Sequence, residues 1–271
     1  MPPSYRRLHH LHSDRRSAWL FILPSLALVA LLGLPLLSIF WRAAGPDILD
    51  YAFSPNALSA LKLSLVTSTV CVLLALATGT PLAYILARWN FKSKTVFELL
   101  VDLPVVLPPS VAGLALLMAF GRQGVFGKWL ALVGISLPFT TLAVVLAQTF
   151  VSAPLFVRSA RVGFSGIDPR LEEAATVEGA NEWQVFQYIM LPLSGRALLT
   201  GIVLTWTRAL GEFGATLMFA GNLVGKTQTM PLAIYLGLEQ GLGVAIALSV
   251  LLVIVSLVLL GITRQLEKNQ S

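Results

Sequence analysis

Two ionisable residues, Arg208 and Glu212, lie in a stretch of sequence that is otherwise mostly apolar. An ionisable side chain at membrane depth costs several kcal/mol unless it is paired or hydrated. The spacing of four residues predicts that both groups share one face of a helix and can pair, and Gly211 and Gly214 beside them predict close helix approach. Two roles are open. Arg208 could offset the charge of an anion while Glu212 tunes it, or the pair could only fix helix packing or a subunit interface.

The sequence gives little support for hydrolytic chemistry. Residues 163–166 read Gly-Phe-Ser-Gly, which superficially resembles an intramembrane serine protease motif, but such a serine needs a base within hydrogen-bond reach. The histidines, His9, His10 and His12, all precede the first apolar run, and Cys71 is the single cysteine. We therefore predict no catalytic residue, no metal site, no cofactor and no intrachain disulfide.

Residues 220–227 read Ala-Gly-Asn-Leu-Val-Gly-Lys-Thr, which satisfies a relaxed P-loop pattern with alanine in place of the first glycine. A P-loop requires a preceding strand and a following helix, so that backbone N–H groups surround a phosphate. Here the segment follows a long apolar run. We therefore expect no nucleotide site in this chain.

The composition indicates a membrane protein. Of the 271 residues, 56% are hydrophobic and 12% are charged, whereas soluble domains carry about 25% charged residues. The apolar residues recur in runs of the length that crosses a bilayer. We predict an all-α, polytopic bundle of six transmembrane helices, at residues 18–41, 58–87, 96–120, 138–157, 198–220 and 242–262.

The net charge of +6 is explained by topology and does not require a nucleic-acid partner. Basic residues concentrate in the cytoplasmic loops of membrane proteins. With the N-terminus inside, four basic residues fall in outer segments, namely Arg42, Arg122, Lys128 and Lys226. Thirteen fall in inner segments, namely Arg6, Arg7, Arg15, Arg16, Arg88, Lys92, Lys94, Arg158, Arg161, Arg170, Arg196, Arg264 and Lys268. This bias predicts that both termini and the loop 158–196 are cytoplasmic.

The third predicted span contains three prolines, Pro104, Pro108 and Pro109. Proline kinks or breaks a helix, and membrane proteins tolerate this where neighbours or water satisfy the freed backbone groups. The prolines indicate either a broken helix that serves as a gate or a kink that only shapes the bundle. Asp102, just before this stretch, could cap it or face the cytoplasm.

The loop 158–196 is the longest polar segment, and its sequence predicts two short helices. Asp168 and Pro169 form a helix start, with an N-cap acceptor followed by proline at the first helical position. Gly179 is placed to end this helix in a left-handed conformation. Asn181 and Gln184 match a capping box that starts the second helix.

This loop carries a family resemblance. Glu173, Ala174, Ala175, Gly179 and the Ile-Met-Leu-Pro run that ends at Pro192 match the EAA loop of bacterial ABC importer permeases with the full spacing. The chain resembles that family over residues 58–261. The resemblance implies the type I ABC importer permease fold, with a coupling helix that seats in a separate ATPase subunit. In that interface Glu173 could pair with a basic residue of the ATPase, and the two alanines would permit close approach.

Other stretches indicate the branch of the family. Residues 102–113 and 208–216 resemble the molybdate and sulfate permeases, and residues 221–235 are closer to the molybdate permeases. Residues 238–240, Leu-Glu-Gln, are similar to the sulfate/thiosulfate permeases. The resemblance therefore implies import of molybdate, with tungstate also possible as substrate and sulfate or thiosulfate as the alternative.

The resemblance also implies the organisation and the partners. Together with the predicted spans, it divides the chain into a cytoplasmic tail at 1–17, a first helix at 18–41, a permease domain at 58–262 with a cytoplasmic coupling loop at 158–196, and a cytoplasmic tail at 263–271. The expected partners are ABC ATPase subunits, a periplasmic or lipoprotein oxyanion-binding protein, a second and identical permease subunit, and the lipid of the bacterial cytoplasmic membrane. Pro104, Pro108, Pro109, Arg208, Gly211 and Glu212 are the candidate residues of the translocation path or gate.

A secondary transporter or channel acting alone is the alternative from another class. Such proteins often contain inverted repeats with broken helices in corresponding halves. The sequence shows no such repeat, and a docking loop would have no purpose in a protein without a driving subunit. Co-purification with an ATPase separates the two classes.

Overall fold

The computed structural model describes residues 15–268, with side chains described between 19 and 261, and the regular elements in this range are all helices joined by short connections. The helices are α1 (Arg15–Arg42), α2 (Ile48–Ala52), α3 (Pro55–Arg88), α4 (Lys94–Val106), α5 (Pro109–Phe120), α6 (Gly127–Leu132), α7 (Thr141–Ser165), α8 (Pro169–Val177), α9 (Glu182–Val185), α10 (Leu191–Leu193), α11 (Gly195–Leu210), α12 (Gly214–Ala220), α13 (Met230–Gln240) and α14 (Leu242–Lys268). A π-helical turn, Phe186–Met190, joins α9 to α10. The predicted all-α class is confirmed.

The chain divides into two compact units, Met1–Pro46 and Asp47–Ser271. In the first unit, α1 carries an apolar stretch from Trp19 to Arg42 with a mean hydropathy of 2.5 and exposed side chains along its length. Such a helix is long enough to cross a bilayer. The N-terminal histidines fall outside the described residues, as do residues 1–14 of the predicted tail and the last three residues of the chain.

By length and composition, four described helices can each cross a membrane: α1, α3, α7 and α14. Two bent pairs bring the total to six if each pair is one span. One is α4 with α5, at 120°, and the other is the segment Glu182–Leu193 with α11, at 71°.

The predicted boundaries require three corrections. The third span, 96–120, is two helices and not one. The fifth, 198–220, ends as a helix at Leu210, and its remainder forms α12 after a break. The fourth, 138–157, continues to Ser165 as α7, so residues 158–165 are helix and not loop. The physical reason for the last difference is that a charged residue ends an apolar run but not a helix, since arginine is a good helix former. Arg158 and Arg161 continue α7 and pair with acidic side chains of α4.

The centre of the second unit is formed by α7, which packs against α3 and α11. Phe156 of α7 is fully buried between them. A Cβ added at Gly79 of α3 or at Gly201 of α11 would lie 2.9 Å or 3.0 Å from its ring. Small residues at these positions let the helix backbones approach closely, as is common in membranes.

Polar contacts inside the bundle join α11 and α13 to α3. The indole N–H of Trp206 on α11 donates to the Ser68 hydroxyl at 2.9 Å. The backbone N–H of Met230, which begins α13, donates to the Ser64 hydroxyl at 2.7 Å. Hydrogen bonds of this kind join membrane helices, where unpaired polar groups would be costly.

Candidate functional site

The loop that follows α7 forms the two predicted helices. The Asp168 carboxylate accepts a hydrogen bond from the backbone N–H of Arg170 at 3.0 Å, and Pro169 occupies the first helical position of α8. The Asn181 side chain accepts from the Gln184 N–H at 2.9 Å, while the Gln184 side chain accepts from the Asn181 N–H at 2.8 Å. Both predicted helix starts are therefore confirmed, because side chains satisfy N–H groups that have no partner within the helix.

Gly179 ends α8 with φ at +92°, as predicted. The Ala180 N–H donates to the Ala175 carbonyl at 2.9 Å and closes the turn. A Cβ at Gly179 would meet no atom within 4 Å. The requirement for glycine is therefore conformational and not steric, since side-chain-bearing residues rarely adopt positive φ.

The residues of the EAA match differ in what they contact. Glu173 and Ala174 are exposed, and so is Pro192 in the short α10 before the bend into α11. Ala175 instead packs against the buried core around Phe164 and Met190. The structure thus leaves Glu173 and Ala174 accessible on α8, while Ala175 holds the helix on the bundle.

An ion pair that sequence reasoning missed fixes α8 to the end of α3. The guanidinium of Arg88 lies 2.7 Å from the Glu172 carboxylate and also donates to the Ile167 carbonyl at 2.8 Å. The two side chains are 13% and 23% exposed. Arg88 directly follows the second predicted span and Glu172 stands beside the EAA residues, but only the fold brings them together across 84 residues of sequence.

The surface around α8 and α9 exposes large apolar side chains. We call Leu171, Val177, Trp183 and Tyr188 the apolar rim. Between 47% and 88% of each of these four side chains is exposed. A hollow of about 320 Å³ lies between the two helices and is lined in part by Gly179, Gln184 and Tyr188. Exposed apolar groups beside a concave surface are typical of a protein docking site.

A second candidate region is the break between α4 and α5. Pro104 is buried within α4, Pro108 has extended backbone angles, and Pro109 occupies the first position of α5. The two helices meet at 120°. The helix is therefore broken at the prolines, and the role of this break as a gate stays a prediction.

Arg208 and Glu212 form the predicted ion pair, with Nη1 and Oε2 2.5 Å apart, although not on one helix face. α11 ends at Leu210, so Glu212 lies in the connection to α12. Its Oε1 accepts from the Ala215 N–H at 2.8 Å. Glu212 is 1% exposed and Arg208 about one third exposed. The pair therefore joins the end of α11 to the start of α12.

The two glycines beside Glu212 behave differently. A Cβ at Gly214 would lie 2.8 Å from the Cβ of Pro109, so this glycine permits close contact between α12 and the break. The nearest atom to a Cβ at Gly211 is the Thr207 carbonyl oxygen of its own preceding turn, at 3.6 Å. The prediction of close approach is confirmed for Gly214 and wrong for Gly211.

Two more ion pairs connect α4 to α7. Arg158 Nε lies 2.5 Å from the Asp102 carboxylate, and Arg161 Nη1 lies 3.1 Å from the Glu98 carboxylate. Asp102 therefore pairs with a neighbouring helix and does not cap the proline stretch. We call these four residues the ionic ladder.

The segment that mimics a P-loop is an ordered connection between α12 and α13. Gly221 and Gly225 have positive φ, and the Thr227 hydroxyl accepts from the Leu223 N–H at 2.9 Å. A helix and not a strand precedes it. Between residues 15 and 268, no three His, Cys, Asp or Glu side chains group as metal ligands.

The sequence profile of the family described as "Binding-protein-dependent transport system inner membrane component" matches residues 79–271. The chain is 42% identical to the "Molybdenum transport system permease protein ModB" of Mycobacterium tuberculosis over 245 residues, which are 90% of this chain and 92% of that protein. It is 37% identical to the "Sulfate transport system permease protein CysT" of Escherichia coli over 187 residues, 69% of this chain and 68% of that protein.

Among solved structures, the fold is similar to that of a chain in a bacterial ABC transporter involved in the import of the acidic polysaccharide alginate. The TM-score is 0.79 with 19% sequence identity, over 96% of this chain and 98% of that chain. Because the sequence identity is only 19%, this similarity is evidence for a shared fold alone.

Proposed function

The chain belongs to the family of binding-protein-dependent transport system inner membrane components, as an ABC importer permease of the molybdate branch, and we propose that it carries molybdate across the bacterial cytoplasmic membrane. It is a multi-pass transport subunit. In the proposal a separate ATPase subunit binds and hydrolyses ATP, and the permease alternates between inward-open and outward-open states. Both termini and the loop 158–196 face the cytoplasm, as the distribution of basic residues predicts.

The observation that carries the coupling proposal is the construction of α8. This helix is capped at Asp168, reversed at Gly179 and tied to α3 through Glu172 and Arg88. It presents Glu173 and Ala174 to solvent beside the apolar rim. A short, rigidly held helix with an exposed charge and apolar neighbours suits docking in a groove of the ATPase.

The proposed substrate follows from the relatives. The molybdenum permease of Mycobacterium tuberculosis matches this chain at higher identity and coverage than the sulfate permease of Escherichia coli does. Residues 221–235 resemble the same branch. Sulfate or thiosulfate remains the second candidate, because the sulfate relative also aligns over two thirds of the chain.

The proposed path runs past the break between α4 and α5 and the end of α11. Pro104, Pro108 and Pro109 form the gate element, and Arg208 offsets part of the charge of the passing dianion. Gly211 and Glu212 complete the turn that positions Arg208. A second copy of the chain forms the other half of the path, and an oxyanion-binding protein delivers the substrate.

Uptake of labelled molybdate by cells with and without this chain, with excess sulfate as competitor, tests the function. Uptake that depends on the chain and resists sulfate is expected. Uptake abolished by modest sulfate would move the chain to the sulfate/thiosulfate branch. Chain-dependent uptake of neither ion would contradict oxyanion import, and uptake without a co-purifying ATPase would indicate a transporter that acts alone.

A further inference from the structure

The ionic ladder joins two helices by two matched contacts. Glu98 and Asp102 are four residues apart on α4, and Arg158 and Arg161 are three residues apart on α7, so each set lies along one helix face. The pairs are Asp102 with Arg158 and Glu98 with Arg161. A single ion pair lets a helix pivot about one contact, whereas two successive pairs fix both its rotation and its axial position.

The solvent exposure of the four ladder side chains argues against a large contribution of these ion pairs to the stability of the fold. The four side chains are between 26% and 44% exposed. Ion pairs this accessible to solvent contribute little to the free energy of unfolding. Removing them should therefore leave the protein folded, and their value lies in the relative placement of α4 and α7.

α4 depends on this placement because, apart from Val101, which packs against the core cluster around Phe156, few of its side chains are held by the bundle. Pro104 is its single buried residue. Apolar side chains elsewhere on the helix, such as Leu99, Leu103 and Val106, are more than half exposed. The ladder therefore supplies the directional contacts that α4 makes with the bundle within the described residues.

The ladder also lies between the two candidate regions. Arg158 and Arg161 are in the last two turns of α7, which is followed after three residues by α8. On the other side, α4 leads directly into the break at 107–108, and Pro109 beyond it contacts Gly214 of α12. One continuous set of contacts thus connects α8 to the broken helix.

We propose that Glu98, Asp102, Arg158 and Arg161 are positioning residues that make α4 follow α7, so that displacement of α8 becomes movement at the break between α4 and α5. This inference rests on the proposed function, in which α8 docks on the ATPase. In this proposal the two ion pairs between α4 and α7 couple ATP hydrolysis to gating, although they lie outside both candidate regions.

Charge reversal tests the ladder. One variant carries Glu98→Arg and Asp102→Arg, a second carries Arg158→Glu and Arg161→Glu, and a third carries all four changes. Lys92→Glu with Lys94→Glu is the matched control, because it alters the charge of the same membrane side by the same amount as the second variant. The complex with its ATPase is reconstituted in proteoliposomes, and the ions transported per ATP hydrolysed are measured with whichever oxyanion the wild type carries.

Each reversal is expected to lower this ratio about fivefold or more, in the range typical of coupling between sites, while ATPase association and hydrolysis persist. The fourfold variant should recover most of the ratio, since opposite charges face each other again. An unchanged ratio in the reversals, or failure of the fourfold variant to recover it, would overturn the proposal.

If the fourfold variant does not reach the membrane, the variant Glu98→Gln with Asp102→Asn tests the proposal instead. It removes both ion pairs without placing like charges opposite each other on α4 and α7. A lowered ratio supports the ladder and a wild-type ratio refutes it. A wild-type chain that binds no ATPase would instead refute the proposed function.

Discussion

Both carboxylate oxygens of Glu212 are engaged, one by the Arg208 guanidinium and one by the Ala215 N–H. An ionised carboxylate that is 1% exposed needs such partners, because burial of an unpaired charge is strongly unfavourable. The geometry gives Glu212 a structural role at the junction of α11 and α12. Arg208, one third exposed, keeps part of its guanidinium accessible to an anion.

We predict that Arg208→Ala lowers molybdate uptake more than it lowers abundance in the membrane. Breaking a buried ion pair costs about 3 kcal/mol or more, so abundance also falls in this variant. The double variant Arg208→Ala with Glu212→Gln removes the unpaired charge and retains an acceptor for the Ala215 N–H. Its abundance should recover while uptake stays low. Uptake that recovers in proportion to abundance would show that the pair is only structural.

At the scale of elements, the turn between α8 and α9 decides how the coupling helix is presented. Gly179 sits at φ +92° with free space where a Cβ would point. A β-branched residue at positive φ is a conformational outlier. Substitution here should therefore change the direction of α8 without disturbing the packing of the bundle.

Gly179→Val is expected to abolish uptake while the protein remains in the membrane, with an effect on the turn of about 1–2 kcal/mol or more. Gly261→Val is the control, since its Cβ also meets no atom within 4 Å and its φ is not in the positive range. Uptake, membrane abundance and ATPase co-purification are measured for both. Normal uptake with normal ATPase association in Gly179→Val would contradict the assigned role of the turn.

The broken helix is the second element-scale feature. α5 packs against α12 through Gly113 and Gly214, and α4 is held through the ionic ladder. The two halves of the break are thus held at different places: α4 at the last two turns of α7, and α5 against α12 and the first half of α7. A relative movement of these places would change the angle at 107–108, which is what the proposed gate requires.

At the scale of the whole molecule, the membrane topology decides which surfaces meet the ATPase and which meet the binding protein. Val177, at the end of α8, and Val125, between α5 and α6, are both strongly exposed. The basic residues predict that they face opposite sides of the membrane. Cys71, the single native cysteine, is buried in α3 and should give little background labelling.

Labelling with a membrane-impermeant maleimide tests this topology. Val125→Cys should be labelled from outside intact cells, and Val177→Cys only after the membrane is permeabilised. The unmodified chain is the control for Cys71. The reverse pattern would place the termini and the coupling loop outside and contradict docking by a cytoplasmic ATPase.

Local features of this protein were determined by the sequence itself. The caps at Asp168 and Asn181, the left-handed Gly179 and the all-α class follow from short-range rules of backbone geometry and hydrophobicity, and all appear in the structure. The family resemblance was equally readable, because the EAA pattern is a contiguous stretch of sequence.

Tertiary structure alone decided the features that depend on distant partners. The prolines indicated a disturbance near residue 108, but the 120° angle emerges only in the packed bundle, where α4 pairs with the end of α7 and α5 packs against α12 and the first half of α7. The pairs of Arg88 with Glu172, Arg158 with Asp102 and Arg161 with Glu98 join residues 56 to 84 positions apart. A single sequence shows the charge of such residues but not their partners, because contacts between helices are fixed by how the whole bundle packs.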